Sequence, residues 1–458
     1  MKPSRAGQLG ATSRISQAAT PTMTDQTNQL SPKATRKVGT IAAISREPSV
    51  ALPAPQDSRD LPVGCRVMSR AYLDHASTSP LRPEALGAMV EALTTLPGDP
   101  GRIHEEGLST RVALETAREQ VAALLGTRGR SVVFMSGATE AIAAAVWGIA
   151  ERARSRASDP SASIHQVVTA VEHSAVRLAA ERAGEVTVVP VDRNGRVDPD
   201  AVLAAVGPHT AAVHVQWGNH EAGTVQPVAE VVAACRGRNV LVHVDSAQAV
   251  GRVPIAFDDL GADLLSVSGH KLGGPTGTGA LLVRRGLRLP PLLLGGDQER
   301  ARRAGLEPVA ALVGLGAACA ALSAPAGGGT GWTVLDREAT LARRQTDRIR
   351  AGVAALRGVE VYGDPHHRLP HLVCMGIEGI EPQGVLLGLD RAGVAAHSGS
   401  ACSSESLEPS PVLEAMGVDA HRSLRLSVGW STSETDVDRA VDALALTIDR
   451  LRALGAGS

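Results

Sequence analysis

Lys271 stands in Ser268-Gly269-His270-Lys271, directly after the apolar run DLLSVS and before the glycine-rich Gly273-Gly274-Pro275-Thr276-Gly277. Taken alone, its plainer reading is a surface lysine following a turn. Asp245 ends VLVHVD, the apolar run immediately before. If both runs are neighbouring parallel strands, amine and carboxylate emerge at the same carboxyl edge, where open α/β sheets bind ligands. Together they meet two needs of a pyridoxal site: an amine to hold the cofactor, and a carboxylate to keep its ring nitrogen protonated.

Three further stretches carry chemistry. Ser136-Gly137-Ala138-Thr139-Glu140 joins SVVFM to an alanine-rich helical run. A helix N-terminus with small residues and a hydroxyl can seat a phosphate, and a plain capped helix start is the competing reading. Glu172-His173-Ser174 follows QVVTA, so His173 reaches the same edge, where an imidazole can lie over a pyridine ring; a satisfied core histidine is the bland alternative. Cys402 sits in Ser398-Gly399-Ser400-Ala401-Cys402-Ser403-Ser404-Glu405, among small polar residues suited to movement and solvent access. Thiol chemistry follows from that setting, whereas Cys235 and Cys319 lie in apolar helical runs that suit a core.

The elements that must position these residues can be read in outline. From Ser131 to Arg284 the runs SVVFM, QVVTA, VTVVPV, AAVHVQ, VLVHVD, DLLSVS and GALLVR alternate with helical stretches such as EAIAAAVWGIAERA. Near-continuous apolar strands between amphipathic helices predict a mostly parallel sheet covered on both faces. Residues 1–70 have the Ser, Thr, Pro, Gln and Arg bias of a disordered tail, in which a transit peptide or a start codon placed too early (Met68 is the later candidate) are both open readings. We therefore expect a large α/β domain over 71–330, with 71–100 joining the smaller domain, and a small α+β domain over 331–458 that carries the mobile cysteine loop.

Bulk properties narrow the function. The 458 residues include 46 Lys plus Arg and 47 Asp plus Glu, a balance that offers no nucleic-acid footprint. Five cysteines without a Cys-x-x-Cys pair argue against a disulfide framework and a structural zinc site, so no metal is expected and a reducing cytoplasm is the default. No run approaches the roughly 18 apolar residues of a membrane span, so no membrane partner is expected. With two Phe, two Tyr and four Trp, the core must be built from closely packed Ala, Val and Leu.

YLDHASTSP at Tyr72 to Pro80, SGATE, VEH, HVDSAQ, SGHK, SGSACSSESLEPS and SLRLSVG occur in the order seen in cysteine desulfurases of the class V aminotransferase family, which the chain resembles from about Ala71 to Leu451. The resemblance implies a fold-type I pyridoxal 5'-phosphate enzyme, with a mostly parallel seven-stranded sheet in its large domain, acting as a homodimer. It implies that Lys271 holds the cofactor, Asp245 partners the ring nitrogen, His173 stacks on the ring and takes part in catalysis, and Gln248 and His220 neighbour the ring hydroxyl. Ala138, Thr139, Ser268 and His270 would hold the phosphate, and Arg425 the carboxylate of an L-cysteine substrate. Freed Lys271 would move the α-proton while Cys402 takes the substrate sulfur as a persulfide. Alanine would leave, and the sulfur would pass to an acceptor protein, an iron-sulfur scaffold or a tRNA-thiolation protein.

The match has departures. Asn219-His220-Glu221 replaces the family's Asn-Asn-Glu, and Arg303-Ala304-Gly305-Leu306 replaces an Arg-Ser-Gly-Thr whose threonine reaches the phosphate from the other subunit. Asp99 replaces an asparagine, and Gly101 and Arg102 replace the serines after it, while His104 keeps the following histidine. Two alternatives stay open at this point: another pyridoxal lyase or aminotransferase of the same class, such as a selenocysteine lyase, and a catalytically weak scaffold for sulfur transfer.

Overall fold

The seven apolar runs form the strands of one sheet. In this computed structural model, which describes residues 70–157, 163–238, 240–328, 331–399 and 409–455, a short first strand β1 (Ala71–Tyr72) precedes them. They are β2 (Val132–Met135), β3 (His165–Thr169), β4 (Glu185–Val189), β5 (Thr210–Gln216), β6 (Leu241–Asp245), β7 (Leu264–Ser268) and β8 (Gly279–Val283). Their order is β2-β8-β7-β6-β5-β3-β4. Strands β3 to β7 pair in parallel, and β8 alone runs antiparallel to both its neighbours. β2, β7 and β8 are buried along their whole length, because helices cover both faces and leave no polar side for alternation to mark.

Three helices, Pro83–Thr95, Glu105–Leu124 and Val309–Ser323, pack together in the main core. Small residues let them approach: a Cβ on Gly316 would stand 2.7 Å from the Ala117 Cα. That closeness is how a core nearly free of aromatic rings fills its volume.

The C-terminal third makes a second sheet from β9 (Val359–Tyr362), β10 (Leu372–Ile377), β12 (His397–Ser398) and β13 (Ser423–Ser427), with β11 (Val394–Ala395) pairing in parallel with β1. The four strands run β12-β13-β10-β9, all antiparallel. Helices Val334–Ala354 and Glu434–Gly455 cover it, burying Ile349, Leu444 and Ile448. The first of these starts at a capping box, in which Thr333 and Asp336 exchange side-chain and backbone hydrogen bonds. Residues 71–100 are split between the cores, contrary to the expectation that they join the smaller part as a unit: Ala71 and Leu73 enter this second core, whereas Ala85 lies in the first.

The tail read in residues 1–70, save Arg70, and the cysteine loop around Cys402 lie outside the described residues. Among the described residues no helix is long and apolar enough to cross a membrane, and no cluster of His, Cys, Asp and Glu could hold a metal.

Candidate active site

β7 ends at Ser268 and passes straight into a one-turn 3-10 helix, Gly269–Lys271, so the lysine leaves the sheet at its carboxyl edge. Lys271 is the only lysine after Lys37, every other basic residue in that stretch being arginine or histidine. Asp245 ends the adjacent strand, opposite Ser266 in register, and its Oδ1 accepts a hydrogen bond from the Ala247 N–H at 3.0 Å. Gln216 ends the next strand, opposite Asp245. Consecutive parallel strands therefore present Gln216, Asp245 and Ser268 at one edge, as parallel pairing dictates.

The other groups arrive on loops and helix starts. His173 caps the helix Ser174–Ala183, its Nδ1 accepting from the Ala175 N–H at 3.1 Å. That contact leaves Nε2 as the nitrogen that carries a proton in the neutral ring. The His220 ring meets His173 edge to face, with centroids 5.0 Å apart, and its Nε2 lies 3.4 Å from Glu221 Oε1. The helix Ala138–Arg154 begins at Ala138 and Thr139, and its N-cap Gly137 contributes no side-chain hydrogen bond. β8 abuts this helix start so closely that a Cβ on Gly279 would lie 2.6 Å from the Gly137 Cα. Gln248 is held between two partners, donating to the Ala76 carbonyl at 2.8 Å and facing His371 Nε2 at 3.4 Å. His270 Nδ1 meets Thr78 Oγ1 at 3.1 Å, and burial, aided by Lys271, holds its pKa below the usual histidine value.

A cavity of about 700 Å³ collects Ala138, Thr139, His173, His220, Asp245, Gln248, Ser268, His270, Lys271 and Arg425. Only Cys402, among the site residues expected from the sequence, falls outside the described residues. One expectation needs amending. Arg425, 1% exposed, is not a free fork: one terminal nitrogen donates to the His220 carbonyl at 2.8 Å, and the other to Asp74 Oδ1 at 3.0 Å and Ser77 Oγ at 2.7 Å. A substrate carboxylate would have to share or displace Asp74.

Sequence reasoning missed several neighbours. Asp74 and Ser77 lie in the quoted YLDHASTSP motif, where a carboxylate beside a loop of hydroxyls was a usable signal. Glu172 was passed over for His173. Its Oε1 accepts from Gln216 N–H at 2.8 Å and Thr169 Oγ1 at 2.7 Å, and burial, with Asp245 adding to it, pushes its pKa up to about 8. Glu140 accepts from the Ser136 N–H at 2.7 Å and from Arg303 at 2.8 Å; burial opposes ionisation, but these hydrogen bonds outweigh it and lower the pKa.

These residues fit pyridoxal phosphate. The cavity holds one amine and one carboxylate from adjacent strand ends, a flat imidazole, and a helix N-terminus beside Thr139, Ser268 and His270 as a phosphate seat.

Residues 71–440 match the family model described as aminotransferase class-V. The chain is 37% identical over 393 residues to the cysteine desulfurase IscS of Dictyoglomus turgidum, covering 84% of this chain and 95% of that one. A solved NifS-like protein superposes with a TM-score of 0.75 at 27% identity, over 83% of this chain and all of the other. A structure described as SspA in complex with cysteine gives a TM-score of 0.67 at 27% identity, over 78% and 99%. The strand-end amine and carboxylate, the helix-capping imidazole and these likenesses agree: the chain belongs to the aminotransferase class-V family, among its cysteine desulfurases.

Proposed function

We propose that this protein uses pyridoxal 5'-phosphate, held by Lys271, to take sulfur from L-cysteine onto Cys402 and release L-alanine. The convergence of Lys271, Asp245 and His173 in one cavity carries the reading. When bound, the cofactor supplies an electron sink that makes the substrate's α-proton acidic and its Cβ–S bond labile.

The chain supplies the rest. Lys271, once its amine is free, is placed to take and return the α-proton. Asp245 would hold a proton at the ring nitrogen, and burial of the nearby Glu172, which raises its pKa, disfavours a second negative charge there. His173, with Nδ1 engaged at Ala175, offers its Nε2–H to the site as a hydrogen-bond donor. Arg425 draws in the substrate carboxylate in place of Asp74. The Cys402 thiolate forms a bond to the substrate sulfur as the Cβ–S bond breaks; the electron pair of that bond stays with the β-carbon, which takes up a proton to become the methyl group of alanine, and a persulfide remains on the enzyme.

The persulfide is destined for an acceptor protein, an iron-sulfur scaffold or a tRNA-thiolation protein. Free Cys235, Cys319 and Cys374 suit the reducing cytoplasm that we propose as its compartment. A second copy of the chain completes the enzyme in this reading, supported by a stripe of exposed Leu86, Val90 and Leu93 on the helix Pro83–Thr95. Purified protein supplied with pyridoxal phosphate and a thiol reductant should absorb visible light and release alanine and sulfide in equal amounts from cysteine, the reductant carrying the persulfide's outer sulfur to sulfide. Cofactor absorbance without sulfide would point to another class-V reaction, and absence of cofactor binding would point to a scaffold.

A further inference from the structure

The turn that carries Lys271 is held from beneath by groups that none of the steps above use. Four consecutive carbonyls, His270 to Gly273, each accept a hydrogen bond from elsewhere in the chain. The Ser79 N–H donates to His270 at 3.0 Å and the Arg82 N–H to Gly273 at 2.9 Å. Arg82 Nε donates to Leu272 at 2.9 Å. The Lys271 carbonyl receives two bonds, from Arg252 at 2.9 Å and from Ser79 Oγ at 3.1 Å. Arg252 also donates to Ser79 Oγ at 2.7 Å, which closes a triangle on the lysine's own carbonyl.

The two arginines are differently supported. Arg82 is 4% exposed and makes a bidentate pair with Glu338, at 2.9 and 2.6 Å. Arg252 is 7% exposed, and its hydrogen bonds go to a hydroxyl and a carbonyl rather than to a carboxylate. Burial and the nearby Arg82 bring its pKa down to about 10, so it remains a cation at neutral pH. A buried guanidinium with no carboxylate partner among the described residues is costly, and the geometry shows what it does in return: it pins one backbone atom.

We propose that Arg252, backed by Ser79 and Arg82, is a positioning residue for Lys271, fixing the base from which the amine projects. Lysine has a long flexible stem, so the amine's reach is defined only if the Cα beneath it does not move. This inference rests on the reading of Lys271 as the cofactor's amine.

The test uses the full-length apoprotein and pyridoxal 5'-phosphate itself, following the gain of bound-cofactor absorbance and scaling it to the folded fraction by circular dichroism. Arg252→Met should capture the cofactor on the order of ten- to a hundredfold more slowly, the usual penalty for a reacting group about an ångström out of place. It should also lower kcat for cysteine while KM shifts less than about twofold, and Arg252→Lys should recover part of both losses. A folded Arg252→Met protein that captures the cofactor at the wild-type rate would overturn the proposal. If Arg252→Met does not fold, Ser79→Ala, which removes one of the two donors to the Lys271 carbonyl, should show a smaller slowing, and no slowing there overturns it equally. Wild-type protein that never gains the absorbance is a separate result: it removes the reading of Lys271 and this inference with it.

Discussion

Lys271 has no understudy. Because it is the only lysine after Lys37, Lys271→Ala should leave no amine in the cavity, and borohydride should then fix no cofactor to the protein. Stoichiometric covalent cofactor in that variant would refute the assignment. Cys402 makes a separable prediction: Cys402→Ser should keep the cofactor absorbance and lose sulfide release, since a hydroxyl is far less nucleophilic toward sulfur than a thiolate. Mass spectrometry after brief exposure to cysteine should place the extra sulfur on the Cys402 peptide. Cys235, Cys319 and Cys374 are poor rivals, because burial raises each thiol's pKa, to about 12 for the last two. Extra sulfur on one of them would move the nucleophile. At this scale the motifs made most of the site legible, because a side chain's chemistry is set by its type. What they hid was Asp74 on Arg425, since a salt bridge between residues so far apart in the chain leaves no local pattern.

Strands β3, β5, β6 and β7 share a buried polar row beneath the site. Gln166 Oε1 meets His214 Nε2 at 2.7 Å, His214 Nδ1 meets His243 Nδ1 at 3.1 Å, and His243 Nε2 meets Ser266 Oγ at 2.7 Å. Burial pulls the His214 pKa down to about 4 and that of His243 well below the ordinary 6.5. Both rings are neutral in the fold, so the unfolded chain binds the extra protons and stability falls as pH drops below about 6.5. His214 alone costs roughly 3 kcal/mol by pH 4, at about 1.36 kcal/mol per pKa unit. Glu172 acts in the opposite sense: with its pKa raised from 4.5 to about 8, it withdraws stability as pH climbs between those values, so on acidification from pH 7 to pH 5 it offsets part of what the two histidines cost. Urea midpoints should therefore drop between pH 7 and pH 5, and a midpoint that is flat or higher at pH 5 would contradict the neutral pair. A second element-scale prediction concerns the turn at Glu299, Arg300 and Ala301, three successive non-glycine residues with φ of 50°, 58° and 58°. Glu299 is retained by a buried bidentate pair with Arg118, at 2.6 and 2.8 Å. Ala301 has no such tie to its side chain, so Ala301→Gly should relieve left-handed strain and stabilise the fold by about 1 kcal/mol. An unchanged or lower melting temperature would show that the strain is not felt there.

The whole molecule decides what Leu306 does. It is 63% exposed and does not line the cavity of its own chain, while Arg303 is engaged by Glu140 and Arg302 by the carbonyls of Arg130 and Val132. If a second copy brings Leu306 to the phosphate, a donor is missing there. One hydrogen bond to a charged group is worth roughly 1.5 to 3 kcal/mol, so Leu306→Thr should tighten cofactor retention by about ten- to a hundredfold. Dialysis followed by absorbance measures this directly, and equal or weaker retention in the variant would mean the site has been rebuilt around Leu306. The seven strands and ten residues of one cavity could be read from the chain before it was folded, because apolar runs and strand-end motifs are local signals. Three features emerge only on folding: the segment after Ala71 divides between two cores, Asp74 occupies Arg425, and Ser79, Arg82 and Arg252 clamp the lysine turn. Those are meetings of residues far apart in the chain, and their partners are chosen by packing rather than by neighbours in sequence.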